Sequence, residues 1–291
     1  MNQITDFLGL KILRSASSKF SSADLKDIDL VEIIPPIGIG FIRPLKISWR
    51  KVLDSRPMIE QIRSKRAHKH IKTDSHKIEA MGIKIQSFAE INEIQFIQWF
   101  TFYKAKMKDK DHGRLALEKD WFSQKLKSGK KVGGVFAFKG KEMIGGDLFH
   151  LSNNRLSASF GVYEDLPTLA GSLGLIIDYQ FLIEAQRQGY KEVSFGQDTN
   201  LYGFHLTSGL MFYKAKLGFS PVPAVKTEYT STFFVNFTKF ADPIMFFVKD
   251  GDGLKLIIIT KESQTEEIYL PEGITKSESY SRDQVKTLST F

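Results

Sequence analysis

Along the chain, apolar positions switch repeatedly between a two-residue rhythm and a three-to-four-residue rhythm, and each switch marks a predicted element. Leu30 to Ile34 and Gly38 to Ile42 alternate like short strands around Pro35-Pro36, a pair that fits only a turn or a sheet edge. From Pro57 to about Met81, Met58, Ile59, Ile62, Arg66 and His70 recur at helical steps, with Gly82 as the stop. Ile83 to Ser87 reads as a strand. Ser87 and Glu90 then have the spacing of a capping box for a helix through about Lys106, whose core stripe is Ile91, Ile94, Trp99, Phe102 and Tyr103. A second helix, Glu118 to Lys127, stops at Gly129.

Three strand-like runs follow at close spacing. Val132 to Lys139, Glu142 to Leu151 and Arg155 to Tyr163 are joined through Gly140 and through Ser152-Asn153-Asn154, which predicts an antiparallel meander. Asp147 and His150 stand at odd relative parity in its middle strand, so they face opposite sides unless a bulge intervenes. After the break at Asp165-Leu166-Pro167, a helix begins near Ala170 and ends at Gly189, with the stripe Leu169, Leu173, Ile176, Ile177, Phe181 and Ala185. The strand Lys191 to Gly196 and a helix-like piece from Thr207 to Leu217 complete a strand, helix, strand, helix succession. A crossover of this kind makes Arg155–Tyr163 and Lys191–Gly196 parallel neighbours. Further strand-like runs lie at Thr227 to Phe237, Ile244 to Lys249 and Leu254 to Thr260, and the final Ser-, Thr-, Lys- and Glu-rich residues read as a loosely held tail.

Composition narrows the chemistry. The 291 residues include no cysteine, which excludes a disulfide framework, a thiolate metal site and a cysteine nucleophile. No apolar run has signal-peptide or bilayer length, so no membrane span and a cytoplasmic address are expected. The formal charge is +8, and its densest part is Arg63, Lys65, Arg66, Lys69, Lys72 and Lys77 with His68, His70 and His76. Such a cluster meets nucleic acid, acidic lipid or a phosphorylated cofactor, or is simply a solvated helix face. His68 and His70 are two apart and cannot share an ion from one helix, so no metal is expected. A second basic concentration, Lys104 to Lys131, carries interleaved acids and reads as a solvated face.

Two places look fit for chemistry. Gly171 and Gly174 sit at a helix start, where free N–H groups hold anions and glycine admits a phosphate; close helix–sheet packing explains the same glycines. Gln197-Asp198-Thr199-Asn200 leaves the carboxyl end of a parallel strand, where ligands gather, although Asp198 has equally the position of a helix cap. Gly38-Ile39-Gly40 lacks the third glycine and the helix that a phosphate loop needs.

Four segments in combination, SKRAHKH (Ser64 to His70), KGKEMIGGDLF (Lys139 to Phe149), LIIDYQFLIEAQRQGYKEVSFGQ (Leu175 to Gln197) and GLMFYKAKLGF (Gly209 to Phe219), resemble the GNAT-type acyltransferase domain of Fem-like proteins. The resemblance implies an α/β (α+β) fold: a GNAT-like mixed, mostly antiparallel sheet with a splayed parallel strand pair and flanking helices, plus a C-terminal β-rich extension. It places the domain at 57–223, between an N-terminal β-containing segment at 1–56 and the extension at 224–291. It implies transfer of an acyl group to an amine of a small molecule or peptide. Asp198 is then the candidate base, and Tyr213 or Lys214 protonates or anchors; Lys214 matches the Fem-like "FK". Acyl-CoA is the expected donor, beside Val162, Tyr163, Gly171, Ser172 and Gly174, with backbone N–H groups near Gly161 to Tyr163 holding the carbonyl oxygen. Leu166 to Gly174 lacks the Arg or Gln that the superfamily's pyrophosphate loop carries. A second reading therefore takes aminoacyl-tRNA as donor, held by Arg63, Lys65, Arg66 and Lys69, and a third is a GNAT-shaped binding protein without turnover. The β-rich extension could serve as a homo-oligomer edge.

Overall fold

The alternating pattern at the N-terminus extends further than expected. β1 (Gln3–Phe7) and β2 (Leu10–Ser15) form a hairpin whose turn residues Leu8 and Gly9 have φ of 55° and 89°. β3 (Leu30–Ile33) and β4 (Phe41–Pro44) flank the Pro35-Pro36 break, and β5 (Lys46–Val52) follows. The computed structural model describes residues 2–21, 23–109, 117–152, 155–226, 228–261, 270–271, 273–274 and 276–288. The expected turn at Asn153 and Asn154, the expected strand start at Thr227 and part of the second basic concentration lie outside these.

The single helix expected from Pro57 is two pieces. A 3₁₀ turn, Met58–Gln61, stops at Ile62; Ser64 then caps α1 (Lys65–Ala80), its Oγ accepting from the Ala67 N–H at 3.3 Å. The new cap resets the helical phase. α1 buries Ala67, Ile71, Asp74 and Ile78, whereas Arg66 is exposed and His70 only half-buried. β6 (Ile83–Phe88) takes Ser87 into the sheet opposite Val135, so the capping box forms five residues later at Asn92 and Gln95, opening α2 (Glu93–Lys108). α2 buries Phe96, Trp99 and Tyr103, and leaves Ile94, expected in the stripe, 77% exposed.

α3 (Trp121–Lys127) precedes the meander of β7 (Val132–Lys139), β8 (Glu142–Ser152) and β9 (Arg155–Tyr163). α4 (Leu173–Arg187), β10 (Glu192–Thr199), α5 (Ser208–Lys216) and β11 (Ser220–Pro223) come next. The chain closes with β12 (Tyr229–Phe234), β13 (Ile244–Asp250), β14 (Gly253–Thr260), β15 (Ser277–Ser281) and α6 (Arg282–Leu288).

These elements form two compact units, cut differently from the boundaries expected at 57 and 223. One comprises Met1–Trp49, Gln197–Ala215 and Ser220–Phe291; the other comprises Arg50–Gly196 and Lys216–Phe219. The cause is that β5 and β10 each run from one unit into the other.

In the second unit the strand order is β5-β10-β9-β8-β7-β6. Met143 and Leu148 of β8 face the aromatic layer of α2 and α3, built on Phe96, Trp99, Tyr103 and Phe122. Phe149 faces the other way, against Phe181 of α4. β9 and β10 are parallel, with Leu156 opposite Val193 and Ser157 opposite Ser194. β9 continues to Tyr163 beyond that register, paired on its other side with β8. An extra residue, Ser159, bulges from β9 between the pairs Leu148–Phe160 and Phe149–Ala158.

The first unit holds a five-stranded sheet, β1-β2-β3-β12-β4, and a three-stranded sheet, β13-β14-β15. Leu10, Ile12, Leu30 and Phe234 from one meet Phe246, Ile257 and Ile259 from the other in a single core. The tail expected to be loose is partly built in. β15 adds to β14 in parallel, Val285 of α6 is fully buried, and the Arg282 guanidinium donates to the carbonyls of Phe237, Phe240 and Ala241 at 3.0 to 3.3 Å. Its polar composition misleads because alternate residues of β15 need only one apolar contact, supplied by Tyr280.

Candidate functional site

Asp198 stands one residue before the end of β10 and is 8% exposed. Three side chains converge on its carboxylate. Lys214, on α5, places Nζ 2.8 Å from both Oδ1 and Oδ2. The indole N–H of Trp49, on β5, donates to Oδ2 at 2.8 Å, and the Tyr202 hydroxyl does the same at 2.8 Å. Trp49 Nε1 also lies 3.0 Å from the Tyr202 oxygen. Burial first, then the Asp198 carboxylate, push the Tyr202 phenol well above its ordinary value, so it stays a donor.

The Asp198 carboxylate, expected as a base, accepts from an ammonium, an indole N–H and a hydroxyl. What Asp198 does is fix the ammonium of Lys214, which also lies 5.9 Å from the Trp49 ring centroid. Tyr213 is half-buried one residue earlier on α5, about 100° around the helix from Lys214. Asn200 is fully buried and clamps the same neighbourhood: its side-chain N–H₂ donates to the carbonyls of Pro44 and Phe247 at 2.9 and 2.7 Å, and its Oδ1 accepts from the Phe247 N–H at 2.8 Å.

In the second unit, α4 begins at Leu173 rather than at Ala170. Ser172 is its cap, accepting from the Leu175 N–H at 3.1 Å. The two preceding N–H groups are taken by α1: Ala170 donates to Asp74 Oδ1 at 3.0 Å and Gly171 to Asp74 Oδ2 at 2.7 Å. Gly174 serves close packing, since a Cβ there would lie 2.2 Å from the Tyr163 ring. The Tyr163 phenol, raised chiefly by burial, hydrogen-bonds Ser172. Val162 is a core residue, and the Glu164 N–H bond to the Ile144 carbonyl fixes the alternation so that the Val162 N–H also points at β8. Gly161 and Tyr163 then direct their N–H groups away from β8.

Asp147 and His150 lie on opposite faces of β8. His150 meets Trp121 edge-on and bonds Ser159 Oγ through Nδ1 at 2.7 Å; burial, then Lys125 and Lys130, push its pKa down to about 4. Asp147 is buried on the α4 side, where burial and then Asp178 raise its carboxyl well above the usual range. Among the described residues, no cluster of three His, Cys, Asp or Glu side chains could hold a metal ion, and no helix is long and apolar enough to cross a membrane.

FemX shares this architecture over 74% of the present chain and 68% of its own, with a TM-score of 0.50 at 10% identity. The fold is GNAT-like, of the Fem type. A tandem GNAT protein from the clavulanic acid biosynthesis pathway matches 71% of the present chain (TM-score 0.39, 10% identity), and L-PGS from Bacillus licheniformis matches 67% (TM-score 0.39, 11% identity). The chain spans only 64% of that L-PGS structure. No protein-family model matches the sequence, and no curated protein does.

Trp49, Tyr202 and Asp74 were not legible as site residues. Trp49 belongs to a strand, β5, that was not expected, and Tyr202 and Asp74 carry no motif. The one available signal was Asp74 itself, an acid on the apolar face of an otherwise basic helix.

Proposed function

We propose that this protein is an acyltransferase that forms an amide on an amine acceptor of a small molecule or peptide. The observation that carries the reading is the preorganised ammonium of Lys214, buried and held by both oxygens of Asp198 at the end of β10 in a GNAT-like fold. In such a reaction the amine nitrogen bonds to the acyl carbon, the carbonyl oxygen gains negative charge, and the bond from acyl carbon to the carrier oxygen or sulfur breaks. The carrier leaves as the amine gives up its proton, which ends on the carrier's oxygen or sulfur. A fixed cation lowers the cost of the developing charge because it needs no reorganisation as the reaction proceeds.

Two donors fit this chemistry, a coenzyme A thioester and an aminoacyl ester on tRNA. The RNA-borne donor is better supported. α1 turns Lys65, Arg66, Lys69 and Lys72 outward, all exposed, and none of them makes an ion pair with a described residue. A run of uncompensated bases suits a polyanion.

The test offers the protein a mixture of charged tRNAs and a panel of acyl-CoAs with an amine panel, following amide formation and thiol release. Transfer from charged tRNA, abolished by prior ribonuclease treatment and weakened steeply by salt, is expected. Ribonuclease-resistant transfer from a thioester would overturn the RNA reading, and no transfer from any donor would overturn the transferase reading.

A further inference from the structure

The second basic concentration, read from the sequence as a solvated face, is not solvated throughout. Lys125, in the last turn of α3, and Lys130, just beyond it, are half-buried, and neither makes an ion pair with a described residue. A half-buried ammonium without a carboxylate loses hydration and gains no partner, so two of them at one place favour an anion between them.

Backbone and register bring the two lysines to one imidazole. The Lys130 N–H donates to the Lys125 carbonyl at 3.0 Å. Lys125 holds its ammonium 5.4 Å from the centroid of the Trp121 ring, one turn back on α3, and Trp121 meets His150 edge-on with ring centroids 6.3 Å apart. On the strand side, Val132 of β7 stands directly opposite His150 of β8, and Lys130 precedes Val132 by two positions. His150 is thus where both lines of contact meet, on the face of the sheet that carries α2 and α3.

The imidazole is set up as a donor. β9 bulges at Ser159, and this extra residue places its Oγ 2.7 Å from His150 Nδ1. With the hydroxyl donating to Nδ1, the proton of the neutral ring sits on Nε2, which bonds no described residue. Burial and then the two ammoniums bring the His150 pKa down to about 4, so the ring is neutral at ordinary pH. Lys125 is itself lowered, by burial and then by Lys130, and no carboxylate acts on either group. Two ammoniums and a neutral N–H donor complement a phosphate monoester, which carries a charge of about −1.5 to −2 at pH 7.

We propose that Lys125, Lys130 and His150 form a binding site for a phosphate monoester, with the two ammoniums and the Nε2–H of His150 donating to its oxygens. The site does not depend on the acyltransferase reading.

The experiment titrates the full chain, carrying ¹⁵N-labelled histidine, with inorganic phosphate and with methyl phosphate, at an ionic strength held constant with sodium chloride. It is done at about pH 7.5, above the second pKa of a monoester near 6, and follows the ring nitrogens of His150, assigned by their loss in His150→Gln. Saturable shifts are expected with both ligands, and dimethyl phosphate, a monoanionic diester, should bind about ten-fold more weakly. Lys125→Gln and Lys130→Gln should each weaken phosphate by about five-fold or more, whereas Lys127→Gln, exposed on the same helix, leaves the affinity unchanged. Shifts that do not saturate, or that chloride reproduces at equal ionic strength, would overturn the proposal. So would Lys125→Gln and Lys130→Gln chains that bind phosphate like the wild type, and equal affinity for dimethyl phosphate would overturn the monoester assignment. The wild-type titration decides the matter even where a variant does not fold.

Discussion

At the scale of the residue, Asp198 is the most consequential side chain, because three donors from different elements, Trp49, Tyr202 and Lys214, depend on it. Removing one member of a buried ion pair leaves the other charge stranded, which costs about 3–5 kcal/mol. Asp198→Ala and Lys214→Met are each expected to lose that much in urea unfolding, whereas Tyr202→Phe, which deletes one hydrogen bond, loses about 1 kcal/mol. Equal losses for all three would contradict the arrangement. His150 gives a pH signature. Its folded pKa of about 4 lies below the ordinary 6.5, so the unfolded chain binds its proton first; the neutral ring favours the fold above pH 6.5, and that benefit is lost as pH falls towards 4. His150→Gln should flatten this part of the profile of unfolding midpoint against pH. Asp147 has the opposite sign. Its raised pKa means that ionisation penalises the fold as pH rises from about 4, so Asp147→Asn should melt higher than wild type at pH 8 and lose that advantage at pH 4.

At the scale of the element, caps decide phase, and phase decides which face is buried. The helical rhythm from Pro57 was legible, but Ser64 restarts it, and the buried positions move from Arg66 and His70 to Ala67, Ile71 and Asp74. The box at Ser87 and Glu90 failed for a similar reason. Spacing is only a local condition, and Ser87 is held by its cross-strand neighbour Val135. Of the expected α4 stripe, Leu173, Ile176, Ile177, Phe181 and Ala185 are buried on the helix, because they meet the helical period between cap and glycine, whereas Leu169 precedes it. Its Gly174 yields a further prediction. Gly174→Ala forces a methyl group into the Tyr163 ring and is expected to cost about 1–3 kcal/mol, and Tyr163→Ala in the same chain should recover most of that loss. Additive losses in the double variant would show that the two residues do not compete for space.

At the scale of the whole molecule, β5 and β10 make the division into units something that no linear boundary expresses. Four segments in combination, Ser64 to His70, Lys139 to Phe149, Leu175 to Gln197 and Gly209 to Phe219, suggested the fold class, and the strand meander, the parallel β9–β10 pair and the helix order followed from periodicity and turn residues. The C-terminal residues did not. Ending the chain at Lys276 removes β15 and the buried Val285, and should lower the melting temperature by roughly 5 °C or more. An unchanged melt would return this segment to the status of a tail.

The sequence by itself determined the rhythm of the elements, the absence of thiol chemistry and the presence of Asp198, Lys214 and the α4 glycines at prominent places. Tertiary structure decided what those residues do. Trp49 reaches Asp198 across 149 positions, and Asp74 reaches Gly171 across 97. The physical reason is one of range. Periodicity, caps and turns act over a few residues and can be read along the chain, whereas the protonation, occupancy and exposure of a polar group depend on partners that only folding brings within 3 Å.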